Sequence, residues 1–302
     1  MLDVAIVQAK PRKGDLAANF ASLRETFAQL RETRSPDLVV LPEAATTGYF
    51  LEGAVYDLSF TAQAFADRLA GAWDANERVE IVCGFYENDA GTFYNSALYA
   101  TIDGGRAQVG HVHRKMFLPT YGVFDEERFL SRGRSLRTFD TSFGRAAILI
   151  CEDVWHAIMP TIAAIKGARF LIIPSASPGR GLGGTRGVLE STDHWHELLA
   201  ASAVEHGIYV IYAGLTGFEG GKGMSGASCV FSPRGELLVQ APQLEPCIVR
   251  IAIDPREIDL ARATLPLLGD LGAVLPDLLL DAELTHPRHD AFDRPTMPEP
   301  RR

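Results

Sequence analysis

Glu43, Lys115 and Cys151 are the residues of this 302-residue chain whose types and positions suit covalent catalysis. Each follows a short apolar run, and strand ends along one edge of a sheet can meet in space however far apart they lie in sequence. A protonated cysteine is a weak nucleophile, so a neighbouring base must take its proton. Glu43, partly desolvated, suits that role and can later return the proton to a leaving amine. Lys115, with the backbone N–H that follows Cys151, suits stabilisation of a tetrahedral oxyanion. Taken singly, each has a plainer reading, such as a core thiol or a solvated loop charge. No histidine has an obvious place beside Cys151. His156 is near in sequence but falls inside the helix expected next.

The elements that must position these residues are short and mostly buried. Residues 146–150 are apolar, follow Gly144 and precede two acids, which reads as a core strand ending at Cys151. A thiol at such a junction lies near the amides of the following segment, which favour negative charge. Residues 37–43 read as a buried strand closed by Pro42, which cannot donate to a ladder, and a loop of small residues follows. Residues 79–86, 94–102 and 107–112, separated by turn sequences, read as a β-meander that leads into Lys115. The loop 120–129 is rich in aromatic and charged residues, unusual for a mere connector.

Around this frame, residues 2–8 read as a first strand. Ala17, Phe20, Leu23, Phe27 and Leu30 recur at helical spacing, so residues 16–34 read as an amphipathic helix. Further helices are expected over 62–73, 158–166, 188–206 and 258–271, the last interrupted by Pro266, and strands over 170–174, 208–213 and 247–253. Residues 228–240 read as a hairpin and residues 216–226 as a glycine-rich loop. The glycine-rich loop 175–184 lacks phosphate-loop spacing. No repeat or linker divides the chain, so the expectation is one α/β domain over 1–285 with a mobile tail over 286–302. A net charge of −9 argues against nucleic-acid and anionic-membrane partners, and no apolar run approaches bilayer length. Cys83, Cys151, Cys229 and Cys247 form no CxxC pair and no secretory segment precedes them, so free thiols in a reducing cytoplasm are expected. His111, His113, His194 and His196 read as surface or structural residues, not metal ligands.

With these residues in view, the sequence resembles the nitrilase, or carbon–nitrogen hydrolase, superfamily from Val4 to about Leu268. The motifs are Leu41-Pro42-Glu43 with Thr47-Gly48-Tyr49, His113-Arg114-Lys115 with Leu118-Pro119, and Ile150-Cys151-Glu152-Asp153. Gly226-Ala227-Ser228 and Ser232-Pro233-Arg234-Gly235-Glu236 complete the match. The resemblance implies a four-layer αββα sandwich and a Glu43–Lys115–Cys151 triad that breaks non-peptide C–N bonds through a thioester. It also implies no metal, no organic cofactor, and a homodimer or larger assembly paired through outer helices. Nitrilases tend to place Trp-Glu after the cysteine, whereas Glu152-Asp153 stands here.

Residues 118–129 with Cys151-Glu152-Asp153 are most similar to the glutaminase domain of glutamine-dependent NAD synthetase. That likeness implies that Glu126 is a second glutamate, positioning substrate and supporting Lys115. It implies that Tyr121 and Phe124 line the amide pocket and that Ser175 or Ser177 contacts the substrate head group. Tyr49, Glu152 and Trp155 complete the expected substrate-binding set, although Tyr121, Phe124 and Trp155 each also read as plain core aromatics. Arg180 and Arg186 are candidates to clamp a substrate carboxylate, or are solvated loop charges. No ATP-using synthetase domain follows within the 302 residues, which favours a free-standing amidase acting on a small amide or N-carbamoyl compound. Two alternatives stand beside it: a glutaminase subunit feeding ammonia to a separate synthetase, and a non-catalytic scaffold, since fold alone never proves activity.

Overall fold

Leu23, Phe27 and Leu30 form one buried stripe of the first helix, α1 (Leu16–Arg31), whose start is fixed by Asp15 accepting a hydrogen bond from the Ala18 amide at 3.0 Å. The chain, in a computed structural model that describes residues 1–184, 188–281 and 284, builds two six-stranded sheets. The first contains β1 (Leu2–Gln8), β2 (Leu38–Val40), β3 (Val79–Asp89), β4 (Thr92–Asp103), β5 (Arg106–Arg114) and β14 (Cys247–Ile253), in the order β14-β1-β2-β3-β4-β5. The second contains β6 (Thr138–Thr141), β7 (Gly144–Ile148), β8 (Phe170–Ser175), β9 (Tyr209–Gly214), β12 (Cys229–Phe231) and β13 (Leu237–Gln240), in the order β13-β12-β9-β8-β7-β6. In each, three central strands run parallel and the flanking strands are antiparallel.

Alternation along the strands decides the layering. Val4, Ile6, Leu38, Val40 and Val82 share a core with Ile148, Ile172 and Ile211 of the second sheet. Their neighbours Ala5, Val7, Val39 and Ile81 turn the other way, against Phe27 of α1 and Leu69 and Trp73 of α3 (Ala62–Trp73). Both faces of the central strands are covered, so they read as continuous apolar runs. A short helix, α2 (Val55–Leu58), precedes α3. On the far side, α4 (Ile158–Ile165) and α5 (Glu190–His206) cover the second sheet through Met159, Ala163, Trp195 and Leu199. After β14 come α6 (Arg256–Thr264) and α7 (Leu267–Leu280), of which α7 packs against α4 and α5. The expected αββα sandwich is therefore the architecture observed. Among the described residues no single helix is long and apolar enough to cross a membrane, and α6 and α7, bent 66° apart, pass that test only as a pair.

Four local expectations differ. The strand before Cys151 ends at Ile148, although the Leu149 amide still reaches the Ile172 carbonyl at 3.1 Å. It stops because the Ile150 amide donates to the Asp153 carboxylate, at 3.1 Å, instead of to a ladder partner. His156 lies between a 3₁₀ turn (Cys151–Trp155) and α4, not within a helix, and its ring stacks on Phe117. Residues 216–226 are not a loop: β10 (Thr216–Glu219) and β11 (Lys222–Ser225) pair antiparallel across Gly220 and Gly221. Both glycines have positive φ, 57° and 79°, as a two-residue hairpin turn demands. The edge strand β6 was not anticipated. The expected mobile tail, 286–302, lies outside the described residues.

Candidate active site

Chain segments leaving three strands bring Glu43, Lys115 and Cys151 together. Beyond β2, the Leu41 amide donates to the Val82 carbonyl at 2.8 Å before Pro42 ends the ladder. Gly84 of β3 lets the next residue pass: a Cβ there would stand 2.5 Å from Glu43 Cα and 2.6 Å from the Pro42 carbonyl oxygen. Lys115 directly follows β5, its amide donating to the Asn95 carbonyl at 2.8 Å. Its Nζ lies 2.8 Å from Glu43 Oε1 and 3.0 Å from Glu126 Oε2, and the Lys115 and Glu43 side chains are wholly buried. Asn95 Nδ2 donates to Oε1 of both carboxylates, at 2.7 Å to Glu43 and 2.8 Å to Glu126. The Ala176 amide holds the other Glu43 oxygen at 2.7 Å.

The electrostatics follow from two carboxylates facing one ammonium in a dry site. Burial alone would lower the Lys115 pKa, but Glu126 and Glu43 outweigh it and hold the ammonium well above its ordinary value. Burial pushes the Glu126 carboxyl up, Lys115 opposes, and the like charge of Glu43 adds to the rise. The Cys151 thiol is raised by burial first and by Glu43 second, while Lys115 and the nearby Ser175 hydroxyl pull it back. Such a thiol is protonated at neutral pH and needs a base at the moment of attack. Cys151 opens the 3₁₀ turn with φ 47°, a left-handed conformation that costs on the order of 1–3 kcal/mol in a residue with a Cβ.

Some of the residues that hold the site went unnoticed in the sequence. Asp153, which the sequence marks only as part of the Cys151 motif, accepts from four donors: the Ile150, Met116 and Phe117 amides at 3.1, 3.0 and 3.0 Å, and His113 Nε2 at 2.9 Å. It thereby ties the segment after Lys115 to the turn that carries Cys151. Asn95 was visible only as a polar residue within an apolar strand run. Glu219 had no signal in its glycine-rich surroundings. It accepts from the Tyr49 and Phe50 amides, at 2.9 and 3.0 Å to Oε2, and fixes the loop that follows Glu43.

A cleft of about 400 Å³ opens onto Cys151 and is lined by Tyr121, Phe124, Glu152, Trp155 and Ser177 of the expected set. Tyr121 and Trp155 are 55% and 44% exposed, so neither is a core aromatic. Tyr121 donates to Glu152 Oε2 at 3.0 Å, and burial together with that carboxylate raises its phenol to about 12. Ser177 accepts from Trp195 Nε1 at 2.9 Å. Ser175 does not line the cleft: it is fully buried, with its hydroxyl beside the Cys151 thiol. Tyr49 does not line this cleft. It is buried with its ring 5.6 Å from Lys115 Nζ, and borders a separate cavity of about 250 Å³ that includes Glu126 and Phe124. Of the adjacent glutamates, Glu126 meets Lys115 and Glu127 borders a different cavity. Arg180 and His194 also line the cleft, the histidine unforeseen there. Arg186 lies outside the described residues.

Two helix-backed sheets, with a cysteine on a strand-to-turn junction beside a buried Glu–Lys pair, define a nitrilase-type hydrolase. The chain belongs to the carbon–nitrogen hydrolase family, whose profile matches residues 3–263, and is an enzyme that hydrolyses carbon–nitrogen bonds. It is 30% identical to a glutamine-dependent NAD(+) synthetase of Rhodobacter capsulatus over 258 residues, 83% of this chain and 43% of that protein. The chain thus spans less than half the length of that relative. It is 28% identical to a 2-oxoglutaramate amidase of Bacillus subtilis over 246 residues, 80% of this chain and 87% of that one. A carbon–nitrogen hydrolase from Helicobacter pylori shares the fold, with TM-score 0.80 and 24% identity over 93% of this chain and 99% of its own.

Proposed function

We propose that the protein is a cofactor-independent cysteine amidohydrolase acting on a small amide or N-carbamoyl compound. The observation that carries this reading is the 2.8 Å contact between Lys115 Nζ and Glu43 Oε1, wholly buried, beside a thiol whose charge state both groups influence. In the first step Cys151 Sγ attacks the amide carbon and Glu43 takes the thiol proton. Lys115 and the Glu152 backbone N–H stabilise the oxyanion. Glu43 then protonates the departing nitrogen, the C–N bond breaks, and ammonia or an amine leaves a thioester on Cys151. Water attacks the thioester, giving a proton to Glu43, and the acid leaves as the thiol is restored. Glu126 keeps Lys115 in place and charged. Phe124, Tyr121 and Trp155 border the acyl group, and the four-residue set of Glu43, Lys115, Cys151 and Glu126 performs the chemistry.

A second reading is supported by the 30% identity to the Rhodobacter NAD(+) synthetase: the chain hydrolyses glutamine and delivers ammonia to a synthetase. We further propose that copies pair through the outer helices, where α7 has no buried residue and exposes Val274, Leu278 and Leu279. The test is ammonia release from small amides, carbamoyl amino acids, glutamine and nitriles, with intact-mass detection of an acyl adduct. Turnover with an adduct on Cys151, both lost in Cys151→Ala, is the expected result. Amide hydrolysis that survives Cys151→Ala would overturn the mechanism. Glutamine turnover that rises with an added synthetase would select the second reading.

A further inference from the structure

Arginines gather around a cavity outside the cleft. A cavity of about 480 Å³ lies beside the edge strand β5, lined by Tyr94, His111, Arg114, Arg132, Arg134 and Arg137. Arg114 is already neutralised, at 2.7 Å from Glu87 and 2.6 Å from Asp89, and its guanidinium covers the Tyr94 ring at 4.1 Å. Arg132, Arg134 and Arg137 are exposed, and among the described residues none has a carboxylate within ion-pair distance. The adjoining cavity, which Arg132 and Arg134 also border, includes two acids, Glu127 and Glu152. His111 adds a buried Nε2 with no hydrogen-bond partner, its ring stacked on Phe139.

Three arginines that border one cavity with no paired carboxylate among the described residues repel one another, in a chain whose net charge is −9. An anion between them removes that repulsion. Planar guanidinium forks match phosphoryl oxygens two at a time, which a lysine cluster would not do. The cavity is of small-molecule size, larger than a single phosphate requires. We propose that it binds a small molecule bearing a phosphoryl group, held by Arg132, Arg134 and Arg137. The site is separate from the cleft but adjoins its scaffold: the Gly133 amide, between two of the arginines, donates to the Lys115 carbonyl at 2.7 Å.

The test is titration calorimetry of the full chain with pyrophosphate, ionic strength being held constant with sodium chloride. Saturable one-to-one binding is expected, weakened at least about tenfold in Arg134→Gln/Arg137→Gln, which removes two bidentate partners. Both residues are exposed, so the variant should keep the wild-type melting temperature. Arg106→Gln, at the far start of β5, should bind as the wild type does. Absence of saturable heat with the wild type would overturn the proposal. So would equal weakening by Arg106→Gln, which marks diffuse attraction, or equal affinity for citrate, which marks a general polyanion patch. Tighter binding of pyrophosphate than of orthophosphate would indicate an occupant larger than free phosphate.

Discussion

Cys151 rests as a neutral thiol, because burial and the Glu43 carboxylate both oppose its ionisation and Lys115 only partly offsets them. Alkylation of Cys151 by iodoacetamide should therefore rise by about tenfold per unit from pH 6 to 9, as it does for a thiol whose pKa lies higher still. A plateau below pH 8, read by mass spectrometry of the modified chain, would mean a pre-formed thiolate and a different division of roles. Lys115 is the other decisive residue. Lys115→Met leaves Glu43 and Glu126 facing each other in a dry site, which should cost about 3–5 kcal/mol in urea denaturation. Glu126 has its own pH signature. Its folded pKa lies above the unfolded one, so its contribution to stability is lost as pH rises from the ordinary glutamate range through the folded value. Glu126→Gln should lose less stability than the wild type as pH rises above the ordinary glutamate range. Parallel curves for the two proteins would show that Glu126 does not carry that titration.

Elements place these residues through close backbone approaches as much as through side-chain contacts. Gly84 is the clearest case, since any Cβ at that position would enter the space of Glu43 Cα. Gly84→Ala should shift the carboxylate, lower amide turnover at least about 100-fold and destabilise the fold by about 1–3 kcal/mol. Near-native turnover would mean that β3 can move away without disturbing Glu43. Asp153 works differently, by gathering donors from β5's continuation and from the Cys151 turn. Asp153→Ala strands three backbone amides and His113, so it should lower both the melting temperature and the rate of Cys151 acylation. A change in melting temperature alone would make Asp153 purely structural.

On the scale of the whole molecule, the four layers leave α7 with no buried residue among the described residues, and Val274, Leu278 and Leu279 exposed. If copies pair there, sedimentation equilibrium should report a dimer or larger species, and Leu278→Glu/Leu279→Glu should shift it toward monomer. A wild-type monomer at micromolar concentration would refute pairing through the outer helices. The layers also explain why the meander and the parallel strands were readable in advance. Their apolar runs are bounded by glycine, proline or charge, and those signals act over a few residues.

The sequence by itself determined the α/β class, most element positions and the three strand-end residues, because a closing proline or an abrupt charge marks each junction locally. It could not show that His113 meets Asp153 across 40 residues or that Glu219 holds the Tyr49 amide across 170. Nor could it show that residues 216–226 pair as a hairpin, that Tyr49 lies outside the cleft, or that three arginines share one cavity. Those depend on how the two sheets stack and which loops their edges bring together. Burial, which sets the charge states of Cys151, Lys115 and Glu126, exists only once the tertiary structure has removed the water.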